Sequence, residues 1–243
     1  RWGDCDNDFA QGLAQNSKLS TQRFAMCGRY TQTQSGEDLA EAFQLTTDPQ
    51  PPPRYNIAPS QPVSAIIAER EYRIFQWGLV PSWAKDYKIG YRLINARSET
   101  AAEKPSFRAA FKRRRCLIPA DGFYEWLRTA SNRKKQPFYI HLREQPLFAF
   151  AGLWEQWESG DGSYLETCTI LTTEPNELME PIHNRMPVII PVADYNRWLT
   201  ASPFQVKGLM KPYNASEMEA YPVSTLVNSP RNDGPDCILP LEV

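Results

Sequence analysis

Apolar and polar positions alternate over most of the ordered-looking stretches, and helical spacing recurs in only a few short ones, so the pattern predicts a β-rich protein with helices at its margins. Leu39, Ala42 and Phe43 follow i, i+3, i+4 spacing behind Ser35, with Glu37 and Asp38 in the first turn. This predicts a short amphipathic helix over residues 36–45. A linker follows, with four prolines between positions 46 and 53 that hold the chain extended. Residues 63–68 and 72–77 are β-rich runs on either side of a charged turn and predict a hairpin. Residues 93–100 pass from an apolar pair to a polar turn and into a helix that Pro105 interrupts, with a second helical piece at 106–113. Strands are predicted at 116–119 and 123–126 around Ala120-Asp121-Gly122, and at 137–141, 147–154 and 165–172. Residues 174–180 suit one or two helical turns, 188–190 a strand, and 193–200 a helix with Tyr195, Trp198 and Leu199 on one side.

Composition narrows this picture. At 243 residues and 42% hydrophobic content the chain has enough apolar material for one large domain or two small ones. Its 27 basic and 28 acidic residues nearly cancel, so an anionic partner is met by a local patch and not by the field of the whole molecule. Cys5, Cys27, Cys116, Cys168 and Cys237 are scattered without a Cys-x-x-Cys pair, which argues against a disulfide framework or a zinc site and for a reducing cytoplasm. With only His141 and His183, a His-rich metal centre is not expected. No apolar run approaches the roughly 18 residues of a membrane-spanning helix. Residues 1–25 are polar, lack the apolar stretch of a signal peptide and precede a Met-Cys pair that looks like a natural start. They are expected to be a mis-set start, an artificial extension or a removable leader, poorly ordered in each case.

Four features carry candidate chemistry. If Met26 is removed, Cys27 offers an α-amine of pKa about 8 beside a thiol of pKa about 8.5. Such a 1,2-aminothiol condenses with an aldehyde to an imine, which the sulfur closes to a thiazolidine. Cys27 also fits a small buried apolar residue. Trp77 and Trp83 flank a Gly/Pro-containing loop and suit either core packing or a platform for a nucleobase. Lys112-Arg113-Arg114-Arg115 is the densest positive run and reads as a solvated face. Glu125 lies between Tyr124 and Trp126. In an aromatic setting its carboxyl loses hydration and suits proton donation; on an alternating strand it can equally face solvent.

Taken in order, Met26-Cys27-Gly28-Arg29-Tyr30, Arg54-Tyr55-Asn56-Ile57-Ala58-Pro59, Trp77-Gly78, Asn95-Ala96-Arg97-Ser98-Glu99-Thr100, Ala120-Asp121-Gly122-Phe123-Tyr124-Glu125-Trp126 and His183-Asn184-Arg185-Met186-Pro187 resemble the SOS response-associated peptidase family of abasic-site processing proteins. The resemblance implies a leader at 1–26 and one domain from 27 to 243. The implied fold is α+β, a mostly antiparallel, barrel-like β core with surrounding helices. It implies a monomer that binds single-stranded DNA containing abasic sites, needs no cofactor or metal, and works in the cytoplasm at the nucleoid. By motif, Cys27 is the nucleophile, Asn95 holds the sugar or the amine, Glu125 moves protons and opens the deoxyribose ring, and His183 assists. Arg29, Arg97 and Arg185 are expected at phosphates, and Trp77 and Trp126, with Asn56 and Pro59 nearby, beside the bases. Two rival readings stand next to this one: a cysteine peptidase acting on its own leader or on other chains, and a nucleic-acid-binding module without covalent chemistry.

Overall fold

The computed structural model describes residues 28–127 and 135–242; Cys27, positions 1–26 and the basic positions Arg133 and Lys134 lie outside the described residues. Strands β1 (Tyr30–Gln32), β2 (Arg54–Ile57), β3 (Pro62–Ile66), β4 (Tyr72–Trp77), β5 (Asn95–Arg97), β6 (Arg115–Ala120), β7 (Gly122–Leu127), β8 (Gln136–Leu142), β9 (Phe148–Glu158), β10 (Tyr164–Thr173), β11 (Met186–Pro187), β12 (Ile189–Ile190) and β13 (Met218–Pro222) form two sheets. Helices α1 (Gly36–Phe43), α2 (Arg108–Arg113), α3 (Tyr195–Thr200) and α4 (Pro203–Val206) surround them. In the larger sheet β10, β4, β3, β6 and β9 pair in that order and β9 pairs back to β10, which closes a five-stranded barrel; its one parallel contact is β10 with β4. The smaller sheet, β13-β8-β7-β1-β2, is antiparallel throughout. The α+β, mostly antiparallel and barrel-like architecture is therefore the expected one.

All six residues of β6 are buried because its two faces serve two cores. Cys116, Ile118 and Ala120 face the cluster of Tyr30, Phe75, Trp77, Phe123 and Phe150, while Leu117 packs with Leu39, Phe43, Phe111 and Trp198 under the helices. This is why β6 reads as an unbroken apolar run and not as an alternating one. Helix α1 starts where expected, at a capping box in which the Ser35 side chain accepts from Asp38 N–H and the Asp38 carboxylate accepts from Ser35 N–H.

Two expectations are corrected. The polar stretch after Asn95 begins as a strand, since residues 95–97 pair in parallel with Ile170 to Thr172, and continues as turns with mixed spacing, such as Ala101 N–H to Arg97 O (2.9 Å) and Glu103 N–H to Thr100 O (3.1 Å). Helix resumes only at Arg108. The basic run at 112–115 is not one solvated face. Arg115 is buried, donating to the carbonyls of Trp198 (2.6 Å), Phe111 (2.8 Å) and Ala201, and Arg114 pairs with the buried Glu155 at 2.6 Å.

Candidate functional site

The site is built on β1, because that strand carries the chain toward Cys27. Tyr30 pairs with Phe123 and Thr31 with Gly122, and the Tyr124 N–H donates to the Arg29 carbonyl at 3.0 Å. Beneath them Asp121, 7% exposed, accepts from the Thr31 hydroxyl, the Thr33 hydroxyl (2.6 Å) and the Thr33 N–H. The Thr31 hydroxyl also meets the Tyr139 hydroxyl at 2.9 Å. A carboxylate accepting several donors from one short strand fixes that strand's register, as a strand of only three residues requires.

Glu125 lies three positions beyond Gly122 on β7 and is 3% exposed, so the solvent-facing alternative for it is removed. Asn95 opens β5 and pairs with Ile170 on β10. The far part of β10 holds β5 along one edge and β11 along the other, with Thr172 opposite both Arg97 and Pro187. Arg29, Tyr30, Trp77, Phe123, Ile170 and Pro187 line one apolar crevice too narrow for a water molecule, which joins the end of β1 to β7, β10 and β11. His183 lies in the turn before β11, where its Nδ1 accepts the Arg185 N–H at 3.2 Å.

The residues expected at DNA divide in two. Arg97 is exposed, and no described residue pairs with its guanidinium; Pro59 and Trp126 are half-buried at the surface. The others are held by the protein. Arg29 donates to Asn56 Oδ1 (2.9 Å) and to the carbonyls of Val227 (2.6 Å) and Asn228 (3.3 Å), and lies over the Trp126 ring at 5.9 Å. Burial lowers the pKa of its guanidinium from the ordinary arginine value, which still leaves it charged. Asn56 is fully buried and donates to the carbonyls of Val227, Ser229 and Asn232, so it anchors the 227–232 segment instead of meeting a base. Trp77 is 1% exposed, with its indole N–H on the Ile94 carbonyl at 2.8 Å and its ring edge-on to Tyr30, which leaves no face for stacking. Arg185 forms a two-point pair with Glu99 at 2.5 and 2.9 Å and donates to the Thr172 carbonyl at 2.6 Å. That pairing, ahead of the smaller cost of burial, holds the Glu99 carboxyl below its ordinary range.

Three contributors were not legible. Asp121 reads as a turn residue; its place in an otherwise apolar run is the signal that it is buried. Asn228 accepts from the Trp126 indole at 2.7 Å, and Asp233 accepts from Arg54 (2.5 Å) and from the Tyr55 and Asn56 N–H groups (2.6 and 2.8 Å). Together they strap the C-terminal segment across β2 and β7. Neither carries a local sequence signal, because their partners are more than 100 positions away.

The class these features define is an α+β barrel protein whose short first strand is held on β7 above the buried Asp121, with an apolar crevice that joins it to β10 and β11. The family model described as SOS response associated peptidase (SRAP) matches residues 26–230, and the chain belongs to that family. It is 49% identical over 222 residues to "Abasic site processing protein YoqW" of Bacillus subtilis, covering 88% of this chain and 99% of that one. Over 198 residues it is 35% identical to "Abasic site processing protein HMCES" of Xenopus tropicalis, covering 72% of this chain and 58% of the relative. Among solved structures, a protein from Bacteroides thetaiotaomicron superposes with a TM-score of 0.82 at 28% identity, covering 89% of this chain and all of the other.

Proposed function

We propose that the protein recognises abasic sites in single-stranded DNA and links to them covalently through the amine and thiol of Cys27. The relatives' names supply the lesion, and one structural observation carries the rest. Extending the Tyr30–Phe123 and Thr31–Gly122 register of β1 on β7 two residues outward from Tyr30 brings Gly28 opposite the buried Glu125, which supports this reading. Residue 27 is bonded to Gly28, so its Cα is about 3.8 Å from that of Gly28 in a trans peptide.

In this reading Glu125 and His183 move the protons that open the deoxyribose to its aldehyde. The Cys27 amine adds to the aldehyde carbon and the carbonyl oxygen leaves as water, giving an imine. The sulfur then adds to the imine carbon while the thiol proton passes to nitrogen, so the ring closes without oxidant or reductant. Asn95 holds the sugar or the amine, Arg97 contacts a phosphate, and Trp126 with Pro59 borders the adjoining base. Arg185 reaches a phosphate only by exchanging its Glu99 partner, which makes Arg97 the stronger phosphate candidate. The protein acts as a monomer in the cytoplasm at the nucleoid, with residues 1–26 outside the working domain.

The test is to express the chain from Met26, confirm by mass that it begins at Cys27, and mix it with an abasic oligonucleotide. A heat-resistant shifted band on a denaturing gel is expected, absent in Cys27→Ala. Absence of the band with Cys27 at the terminus refutes the proposal.

A further inference from the structure

The C-terminal segment makes contacts that the proposed chemistry does not use. Val227, Asn228, Ser229 and Asn232 turn their carbonyl oxygens toward the first two strands, where one guanidinium and one amide take up all four. Asn56 is the hub. Its Nδ2 donates to the carbonyls of Val227 (3.1 Å), Ser229 (3.0 Å) and Asn232 (2.7 Å), while its Oδ1 accepts from Arg29 at 2.9 Å. The side chain is fully buried, so no solvent competes for these bonds. The segment itself is built before Arg29 is added. The Asn232 N–H donates to the Ser229 carbonyl (3.0 Å) and its side chain to that of Leu226 (2.8 Å). Asp233 clamps it to Arg54 and to the N–H groups of Tyr55 and Asn56, and the buried Val227 packs with Tyr124, Tyr139 and Cys237.

The other end of this linkage is the start of β1. A Cβ on Gly28 would meet nothing within 4 Å, so Gly28 is not gripped by packing, and Arg29 is the side chain nearest to Cys27 that the fold holds. The Cα atoms of residues 27 and 29 are no more than about 7 Å apart. A guanidinium is a flat fork of donors, and acceptors on Val227, Asn228 and Asn56 define its orientation. To meet a phosphate it would have to give up these charge-assisted bonds. A shift of about 1 Å at a reacting group is enough to slow a reaction on the order of 100-fold.

We propose that residues 227–233 are a positioning strap for the reaction: through Asn56 and Arg29 they fix where the amine and thiol of Cys27 stand. Arg29 is then an anchor and not a phosphate contact, and Asn56 is a positioning residue that touches neither base nor sugar. The inference rests on the covalent reading for its rate measurement, but the anchoring is also read without that step.

The test uses the chain beginning at Cys27 and an abasic single strand at a series of concentrations, so that the maximal rate of adduct formation and the half-saturating concentration are obtained separately. Asn56→Asp keeps an acceptor for Arg29 but removes the donors to the three carbonyls; Arg29→Gln removes the guanidinium. Both are expected to lower the maximal rate roughly tenfold or more, with half-saturation changed by less than about twofold. In Arg29→Gln the salt slope for binding an undamaged single strand is expected to stay as in the parent. In both variants, hydrogen exchange of peptides covering residues 28–32 is expected to quicken. If Asn56→Asp does not fold, Arg29→Gln carries the test. An Arg29→Gln protein that keeps its maximal rate, needs more DNA to saturate and loses about 0.7 from the salt slope has lost a phosphate contact, which overturns the proposal. If the parent forms no adduct, the covalent reading fails, and exchange still judges the strap: protection of residues 28–32 unchanged in the variants overturns it.

Discussion

Asp121→Ala tests the idea that a buried carboxylate sets the position of the first strand. It removes an acceptor serving the Thr31 hydroxyl, the Thr33 hydroxyl and the Thr33 N–H. A hydrogen bond to a charged group contributes about 1.5–3 kcal/mol, and bonds sharing one carboxylate do not add in full. The Thr31 hydroxyl keeps the Gly122 carbonyl (3.2 Å) and the Tyr139 hydroxyl (2.9 Å) as partners, and Thr33 is half-buried, so water replaces part of what is lost. The expected cost is therefore about 3 kcal/mol, below the unmitigated sum of about 4.5–9 kcal/mol for three bonds. For a chain of this size each kcal/mol lowers Tm by about 2–4 °C, so a fall on the order of 10 °C is expected in thermal unfolding followed by circular dichroism. Asp121→Asn keeps one carbonyl oxygen for Thr33, and its amide can donate to the Thr31 hydroxyl, so it should lose about half as much. It should also slow capture of an abasic strand without lowering the final yield, since β1 loosens but Cys27 is intact. A Tm within about 2 °C of the parent for Asp121→Ala, or equal falls for the two variants, would refute the reasoning.

Three further outcomes are expected. Trp77→Phe removes the indole N–H from the Ile94 carbonyl, which keeps the Ile170 N–H at 3.1 Å, and leaves space in the core, so it should cost about 1–3 kcal/mol in denaturant unfolding while leaving affinity for single-stranded DNA alone; Trp126→Ala should instead weaken that affinity roughly fivefold or more. The lowered pKa of Glu99 has a defined sign: the unfolded chain takes up the proton first, so the stabilisation from Arg185 is fully present above the ordinary value of 4.5 and is lost as pH falls through the folded value. Tm of the parent should accordingly exceed that of Glu99→Gln at neutral pH, with the gap closing in acid; a gap constant with pH contradicts the pairing. Burial raises the thiol pKa of Cys116 and Cys168, and Cys237 is buried, so peptide mapping after alkylation of the native chain should find these three unmodified until denaturant is added.

Much of the fold is legible in the sequence because strand positions such as 72–77 and 165–172 combine β-branched and aromatic residues between turn signals, and these local signals agree with the tertiary pairing. The helix expected to follow the polar turn within residues 93–100 is not, because parallel pairing of residues 95–97 with β10 overrides the local preference. For the site, residue type indicated chemistry but not exposure. Trp77 and Trp126 look alike in sequence, and only the closure of the barrel decides that one is core and the other surface. Arg29, Arg97 and Arg185 likewise look alike. The first and third meet carbonyl groups or a carboxylate brought in from distant positions, which leaves Arg97 facing solvent.

The central claim is that the reacting groups are the amine and the sulfur of Cys27 together. Peptide mapping of the gel-purified adduct, after nuclease trimming of the DNA, reads it directly. The expected product is a Cys27-initiated peptide that carries the sugar remnant with loss of one water, has no alkylatable thiol at that position, and is stable without borohydride. A remnant on a lysine, or on the Cys27 sulfur of a chain whose Cys27 nitrogen is still acylated, would contradict the account.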